Sequence, residues 1–446
     1  MLKLTYIFFI SIFLITPLFA QDECFNTDRL PLGNPLTKYD FCDVKLDKIY
    51  DTNAAQDISE QQLIENLRQF RIVLVGETHT NENHHAVQLK VIQGLIESGQ
   101  KVCLALEMFN PAQNSALDDF VTGQINEQEF WDASDYFNTW GHNYRYYKPI
   151  FDYAREKQIK MYGVNVDHNY PSKIGREGTE SLTAEEREKL PEIDTTDVEH
   201  RFYFKAAMEG MDATVPRRFK NLYAAQCLWD AAMGDGAIEV AEKHPDATVV
   251  VLAGSGHVAY NLSISRIIRK RSPFTVASLV AVDIPDTVEE SVMMQVKKSL
   301  DKEKAVEKPE TTEKKTEDDN KMISMAHAHG MQGMMDSAPY QIVVRSLADY
   351  LWGVPEITEE KYPSFGMSIK EKEDEGFEVK MVIPETLADE HGFQRGDVIL
   401  GIDGHQFDDM AHLKQYLHFK DWGDDIQFTV LREDKKVEIE FTIERK

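Results

Sequence analysis

The sequence predicts an α/β protein whose mainly parallel sheet is flanked by helices, followed by a small, mostly-β domain. Three observations carry this. Short apolar runs alternate with stretches of helical spacing, the pattern of strands buried on both faces. Two of those runs end in the same way: Arg71-Ile-Val-Leu-Val-Gly-Glu-Thr-His79 and Thr248-Val-Val-Val-Leu-Ala-Gly-Ser-Gly-His257 both close on Gly-x-x-His. Beyond Pro363, short alternating strands follow one another with only two short helical segments between them.

The first strand unit organises the rest. Ionisable groups arrive directly after its apolar run, as Glu77, His79, His84 and His85. Polar groups just past such a strand lie in the crevice where open α/β sheets bind ligands. Val87, Val91, Leu95 and Ile96 then mark a helix. A lone Gly-x-x-His is more often a tight turn with a packing histidine, but two at equivalent points favour a shared site.

The remaining strands extend the pattern. Lys101-Val-Cys-Leu-Ala-Leu-Glu107 ends on a carboxylate, Met161 to His168 ends among polar residues, and Phe274 to Asp283 is a fifth run. Strands alternating with helices imply a parallel sheet covered on both faces. Glu77, His79, Glu107, Asn165 and His257 should then gather at one sheet edge. Between the strands, Trp131 to Tyr153 is dense in aromatic residues and also holds His142 and Arg145; it suits either a flat ligand's pocket or simple packing in the helical layer. A helix over 218–233 places Gln226, Asp230 and Met233 on one stripe, as functional groups or as hydrogen-bond anchors.

With 446 residues, more than one domain is expected. Residues 1–20 read as a signal peptide cleaved after Ala20, giving a periplasmic or secreted protein; no cysteine directly follows that point to carry a lipid anchor. Residues 21–44 form an N-terminal arm, and no later stretch is apolar enough to span a membrane. A net charge of −27 argues against nucleic acid as a partner. Of four cysteines, Cys24 and Cys42 suit pairing in an oxidising compartment, whereas Cys103 and Cys227 read as core thiols. Residues 285–336 form a charged excursion, including a Met/His-rich run from Met322 to Met335 that either binds metal or is an unliganded patch. Apolar segments near Tyr340 and Trp352 return the chain to the first domain, which spans 45–354.

The tail, 363–446, resembles a PDZ domain, carried by Gly392-Phe-Gln-Arg-Gly-Asp-Val-Ile-Leu-Gly-Ile-Asp-Gly404. That resemblance places Ser364, Phe365, Gly366 and Met367 where a carboxylate-binding loop belongs, so that a protein C-terminus or extended peptide adds as a strand. Across 45–354 the motifs Gly76-Glu-Thr-His79, His84-His-x-x-Gln88, Leu106-Glu-Met-Phe109, Gln226-x-x-Trp-Asp-x-x-Met233 and Gly254-x-Gly-His257 resemble the ChaN-like haem-binding family of the Tiki/erythromycin-esterase-like superfamily. The resemblance implies an exported haem binder of bacterial iron acquisition, a homodimer enclosing the haem being among its arrangements. It implies tyrosine and histidine ligation of iron, for which Tyr144, Tyr147 and His85 are the candidates. The same superfamily contains hydrolases. That alternative makes His79, Glu107 and His257 ligands to a divalent metal such as Zn or Mn, with Glu77 or His84 as general base on a peptide or ester. A third reading is a PDZ adaptor with an inactive front domain.

Overall fold

The computed structural model describes residues 27–208, 214–285, 339–372 and 375–445. The expected signal peptide, Cys24 and the Met/His-rich run lie outside the described residues, as does all but the first residue of the expected 285–336 excursion. Cys42 is buried on the first strand and has no disulfide partner among the described residues.

The front region opens with β1 (Phe41–Lys45), β2 (Ile49–Asp51), β3 (Gln56–Ile58) and α1 (Glu60–Leu67). The strand-and-helix alternation follows: β4 (Ile72–Glu77), α2 (Glu82–Glu97), β5 (Lys101–Leu106), α3 (Asn114–Thr122), α4 (Glu127–Ala133), α5 (Tyr136–Thr139), α6 (Tyr144–Lys157) and β6 (Lys160–Gly163). Next come α7 (Asn169–Glu177), α8 (Ala184–Glu188), α9 (Val198–Ala207), α10 (Pro216–Lys243), β7 (Ala247–Gly254), α11 (Ile264–Arg271) and β8 (Val276–Ile284), then β9 (Tyr340–Val344) and β10 (Tyr350–Pro355).

Eight strands form one sheet in the order β3-β2-β10-β8-β4-β7-β5-β6. From β10 to β6 every neighbouring pair is parallel, and only β2 and β3 run antiparallel at the edge. Successive strand side chains point to opposite faces. On β4, Val73 and Val75 accordingly enter one core while Ile72 and Leu74 enter the other. Strands β5 and β7 divide in the same way, which is why these runs read as unbroken apolar stretches. The first core is covered by α1 to α4 and the aromatic α6, the second mainly by α10 and α11.

Two elements differ from the sequence reading. The strand at Met161 stops at Gly163, because the Asn165 side chain donates to the Glu107 carbonyl at 2.9 Å and draws the chain out of the sheet. The helix expected over 218–233 runs from Pro216, suited to a first helical turn, through the alanine-rich segment to Lys243. The arm before residue 45 also contributes a strand: β1 pairs with β9, roughly 300 positions later, a pairing that local pattern does not show. No helix among the described residues is long and apolar enough to cross a membrane.

The tail is a five-stranded antiparallel sheet, β11 (Met367–Lys372), β12 (Gly376–Val382), β13 (Val398–Ile402), β14 (Asp425–Arg432) and β15 (Lys435–Thr442), with α12 (Leu387–Glu390) and α13 (Met410–His418). Its Gly-Asp motif has a structural reason. Asp397, 1% exposed, receives a two-pronged bond from Arg432 at 2.7 Å on each oxygen and accepts from the Gln394 amide.

Close approach fixes Gly163. A Cβ there would lie 2.5 Å from the Asn110 carbonyl oxygen and 2.7 Å from the Phe109 backbone. Replacement Gly163→Ala should cost about 1–3 kcal/mol, read as a lower urea midpoint; an unchanged midpoint contradicts this packing.

Candidate functional site at the carboxyl edge of the sheet

The carboxyl ends of β4, β5 and β7 are neighbours, with β7 between the other two. Chain order and sheet order diverge here, which opens a crevice at the strand ends. Glu77 ends β4, Glu107 follows β5, and His257 lies in the 3-10 turn after β7.

The turn after β4 is pinned before it reaches the crevice. Asn81 caps α2, accepting from the amides of Asn83 and His84, and its amide nitrogen donates to Asp283 at the end of β8 at 2.8 Å. His84 Nδ1 accepts from the Thr78 amide at 3.0 Å, so its proton sits on Nε2, 3.1 Å from Asp283. His85 Nδ1 lies 3.0 Å from Gln88 Oε1 and its Nε2 lies 3.2 Å from the His79 carbonyl, while Gln88 donates to the Val75 carbonyl. Both imidazoles are buried with both nitrogens engaged. They shape the turn that presents Glu77 and His79.

Two acid–imidazole pairs then meet. Glu77 Oε1 contacts His79 Nδ1 at 2.5 Å. Burial disfavours the charged form of His79, but Glu77 outweighs this and raises its pKa. The other Glu77 oxygen is buried without a hydrogen-bond partner among the described residues, 3.8 Å from His85 Nε2. In the second pair, Glu107 Oε1 lies 3.3 Å from His257 Nε2 and its Oε2 accepts from the Gly254 amide at 2.6 Å. His257 Nδ1 contacts Asp230 of α10 at 2.6 Å and Gln226 at 3.1 Å. Burial works against both charges, yet their mutual attraction prevails. His257 is raised to about 10, chiefly by Glu107 and Asp230, and Glu107 is lowered to about 2, chiefly by His257. Beyond Asp230 the chain continues to His200 of α9, 3.3 Å away, whose ring also meets Ser263 and Tyr223.

Glu77, His79 and Glu107 bring three donor atoms within 4.8 Å of one another. His257 stands behind Glu107 with both nitrogens given to neighbours. The crevice is covered by the segment between α5 and α6: Trp140 meets His79 edge-on at 5.0 Å, and His142 lies 4.3 Å from it. Burial and the neighbouring His79 push His142 well below the usual imidazole range, so its ring is neutral. Its ring nitrogens have no hydrogen-bond partner among the described residues. Tyr147 is 1% exposed and packs 4.4 Å from His85, at the back of this region. Tyr144 packs among Trp131, Tyr136 and Phe151. Burial holds both phenols well above their ordinary pKa.

In the tail, Ser364 is exposed, Phe365 is buried, and Gly366 and Met367 are half-buried at the start of β11. Strand β11 is an edge strand, its outer side unpaired in the sheet. Gly366 has φ +70, and the Thr386 side chain occupies the space where a Cβ would stand. Only glycine suits both constraints.

The family model described as haem-binding uptake, Tiki superfamily, ChaN matches residues 63–268, and that of the PDZ domain matches 363–443. The chain carries a ChaN-like domain followed by a PDZ domain. No curated protein matches it. The chain is similar to the structure describing cofacial heme binding to ChaN of Campylobacter jejuni, with 20% identity over 54% of this chain and 91% of that one, at a TM-score of 0.44. It is also similar to an erythromycin esterase mutant, EreC, in its open conformation, with 13% identity over 56% and 78% of the two chains and a TM-score of 0.34. The HtrA-type protease AlgW with a decapeptide shares 24% identity over 19% of this chain and 30% of its own, at a TM-score of 0.18.

Within the ChaN-like domain, Asp230, His200, Asn81 and Asp283 complete the network. Asn81 acts from the turn after β4, and the roles of the others come from α9, α10 and β8 packing onto the edge, which local pattern does not show for His200 or Asp283. Asp230 carried two signals, a carboxylate on an otherwise buried helical stripe and a place in the Gln226-x-x-Trp-Asp-x-x-Met233 motif.

The charge chain sets a pH response. His257, raised in the folded state, contributes stability that is full below pH 6.5 and is lost as pH rises through about 10. Glu107, lowered, contributes stability that is full above pH 4.5 and is lost as pH falls through about 2. Urea midpoints should decline on both sides of that interval. Asp230→Ala should cost about 3–5 kcal/mol at pH 7 and flatten the alkaline decline; a loss below about 1 kcal/mol contradicts the charged arrangement.

Proposed function

We propose that this is an exported haem-binding protein of bacterial iron acquisition, with haem held at the carboxyl edge of the front sheet and the PDZ domain recruiting a protein partner. Export rests on the leader-like residues 1–20. The haem reading rests on the ChaN family match over 63–268. The observation that carries the location is His142, a neutral imidazole without a hydrogen-bond partner among the described residues, beside the rings of Trp140 and His79. A neutral ring nitrogen is a ready iron ligand, whereas a phenol must first lose its proton. Burial opposes that loss at Tyr144 and Tyr147, which suits Tyr147 better as a wall than as a ligand and leaves Tyr144 in the core. The residues present therefore fit haem: His142 would hold the iron, Trp140 and Tyr147 would offer aromatic surface, and His79 would stand beside it. Bound haem would supply an iron able to take an imidazole ligand; the surrounding residues would orient it and exclude water.

For the PDZ domain, the half-buried, unpaired edge β11 and the turn at Gly366 support capture of a protein C-terminus or extended peptide as an added strand.

A second reading has its own support. The three close donor atoms of Glu77, His79 and Glu107, with one Glu77 oxygen lacking a partner, suit a divalent metal such as Zn or Mn. Such an ion would activate water for hydrolysis of a peptide or ester. In that reading His257 orients Glu107 through a hydrogen bond, the role of an outer-shell partner.

Hemin titration of the full chain should give a Soret band that shifts and weakens at least tenfold in affinity in His142→Ala, with Tyr144→Phe unchanged. An identical band and affinity in His142→Ala would falsify the ligand assignment. Metal analysis separates the second reading: tight Zn or Mn lost in His79→Ala, with no hemin spectrum in the parent, replaces haem by hydrolysis.

A further inference from the structure

The PDZ domain does not stand apart from the front site. Helix α13 lies against α5, and side chains from both domains close the contact. Lys414 donates to the Phe137 carbonyl at 3.0 Å, and Asn143 donates to the His418 carbonyl at 2.7 Å. Arg145 reaches across to Asp421 at 2.6 Å and to the Lys420 carbonyl at 2.8 Å, while its guanidinium lies 3.7 Å from the ring centre of Tyr362 in the linker. Gln415 donates to Gln128 at 2.6 Å, and Phe419 packs 5.2 Å from Trp131. Isolated exposed ion pairs contribute little. Here, though, the polar contacts end on backbone carbonyls at both sides and surround ring contacts. Burial lowers the Lys414 ammonium to about 8 and the His418 imidazole to about 4, while Asp421 and Phe419 at the rim stay exposed.

What makes this contact informative is where it falls. Phe137, Asn143 and Arg145, held by the PDZ domain, bracket Trp140 and His142, which cover His79. Residues 136–143, ahead of α6, are a helix of one turn plus a short connection, too short to hold their own shape. Their position is therefore set by what packs on their two sides: the front core and the PDZ helix. On the PDZ side, Leu413 and Leu417 of α13 share one core with Phe365 of the peptide-binding loop candidate. A chain seated at 364–367 thus bears on the helix that holds the segment.

We propose that the PDZ domain is a latch on the front site: its helix α13 and the 418–421 turn hold segment 136–145, with Trp140 and His142, closed against His79, and a partner bound to the PDZ domain alters that hold. Linkage makes the effect reciprocal, so a ligand at His79 and His142 changes the affinity of the PDZ domain for its peptide. The ligand's identity rests on the haem reading above, but the latch itself does not.

The test uses the full-length chain and two variants, Lys414→Ala/Asp421→Ala on the PDZ side and Arg145→Ala on the front side. Amide hydrogen exchange over 136–145 should accelerate at least tenfold in both, while exchange in α2 and in β13 and β14 stays at the parent level, showing that each domain remains folded. Unchanged exchange over 136–145 in either variant overturns the latch. Transfer of hemin from the protein to apomyoglobin should also change at least threefold in rate in both variants. Absence of any hemin binding in the parent sinks the haem reading and leaves the exchange result to decide the latch alone.

Discussion

One imidazole, His257, is held between two carboxylates, and the front domain is built around that contact. Glu107 reaches it from the end of β5 and Asp230 from the middle of α10. Each of these groups is more than nine-tenths buried. Removing any one leaves an uncompensated charge out of water, so the three must stay together or the edge must open. The requirement ties the sheet to the helix packed on it, and the Gly254 amide adds β7 through Glu107. The first acid–imidazole pair, Glu77 with His79, is then presented beside that buried charged group.

That arrangement divides labour among histidines of similar appearance in the sequence. His84 and His85 each spend one nitrogen on the turn after β4 and the other on Asp283 and Gln88 respectively, and His257 spends both on carboxylates. His79 has its pKa raised by its neighbour Glu77. His142 alone in this neighbourhood is neutral with unengaged nitrogens among the described residues, which is the physical basis for assigning it to iron. The aromatic density of 131–153 resolves into two parts: most of it fills the core beneath α4 and α6, and only Trp140 and Tyr147 border the crevice.

Much of this was legible beforehand. The two Gly-x-x-His turns, the carboxylate closing β5 and the alternation of strands and helices predict the parallel sheet and the meeting of Glu77, His79, Glu107 and His257. Asn165 joins them through its bond to the Glu107 carbonyl. The roles of the individual groups were not legible, because they depend on which nitrogen meets which partner. His200 lies on a polar-looking helix and reaches Asp230 only through the packing of α9 on α10. His142 gives no signal beyond membership of an aromatic stretch; its neutrality arises from burial beside His79. The docking of α13 on α5 was equally hidden, since Phe137 and Lys414 are far apart in sequence and neither belongs to a motif.

The account's central claim is that the sheet edge offers an imidazole nitrogen to haem iron at His142. Pulsed electron paramagnetic resonance of the ferric, hemin-loaded full chain, with and without 15N-histidine, tests this directly. The account predicts an axial histidine-nitrogen coupling that changes with the isotope and vanishes in His142→Ala. A hemin-loaded protein with no histidine coupling, or one that keeps the coupling in His142→Ala, would contradict it.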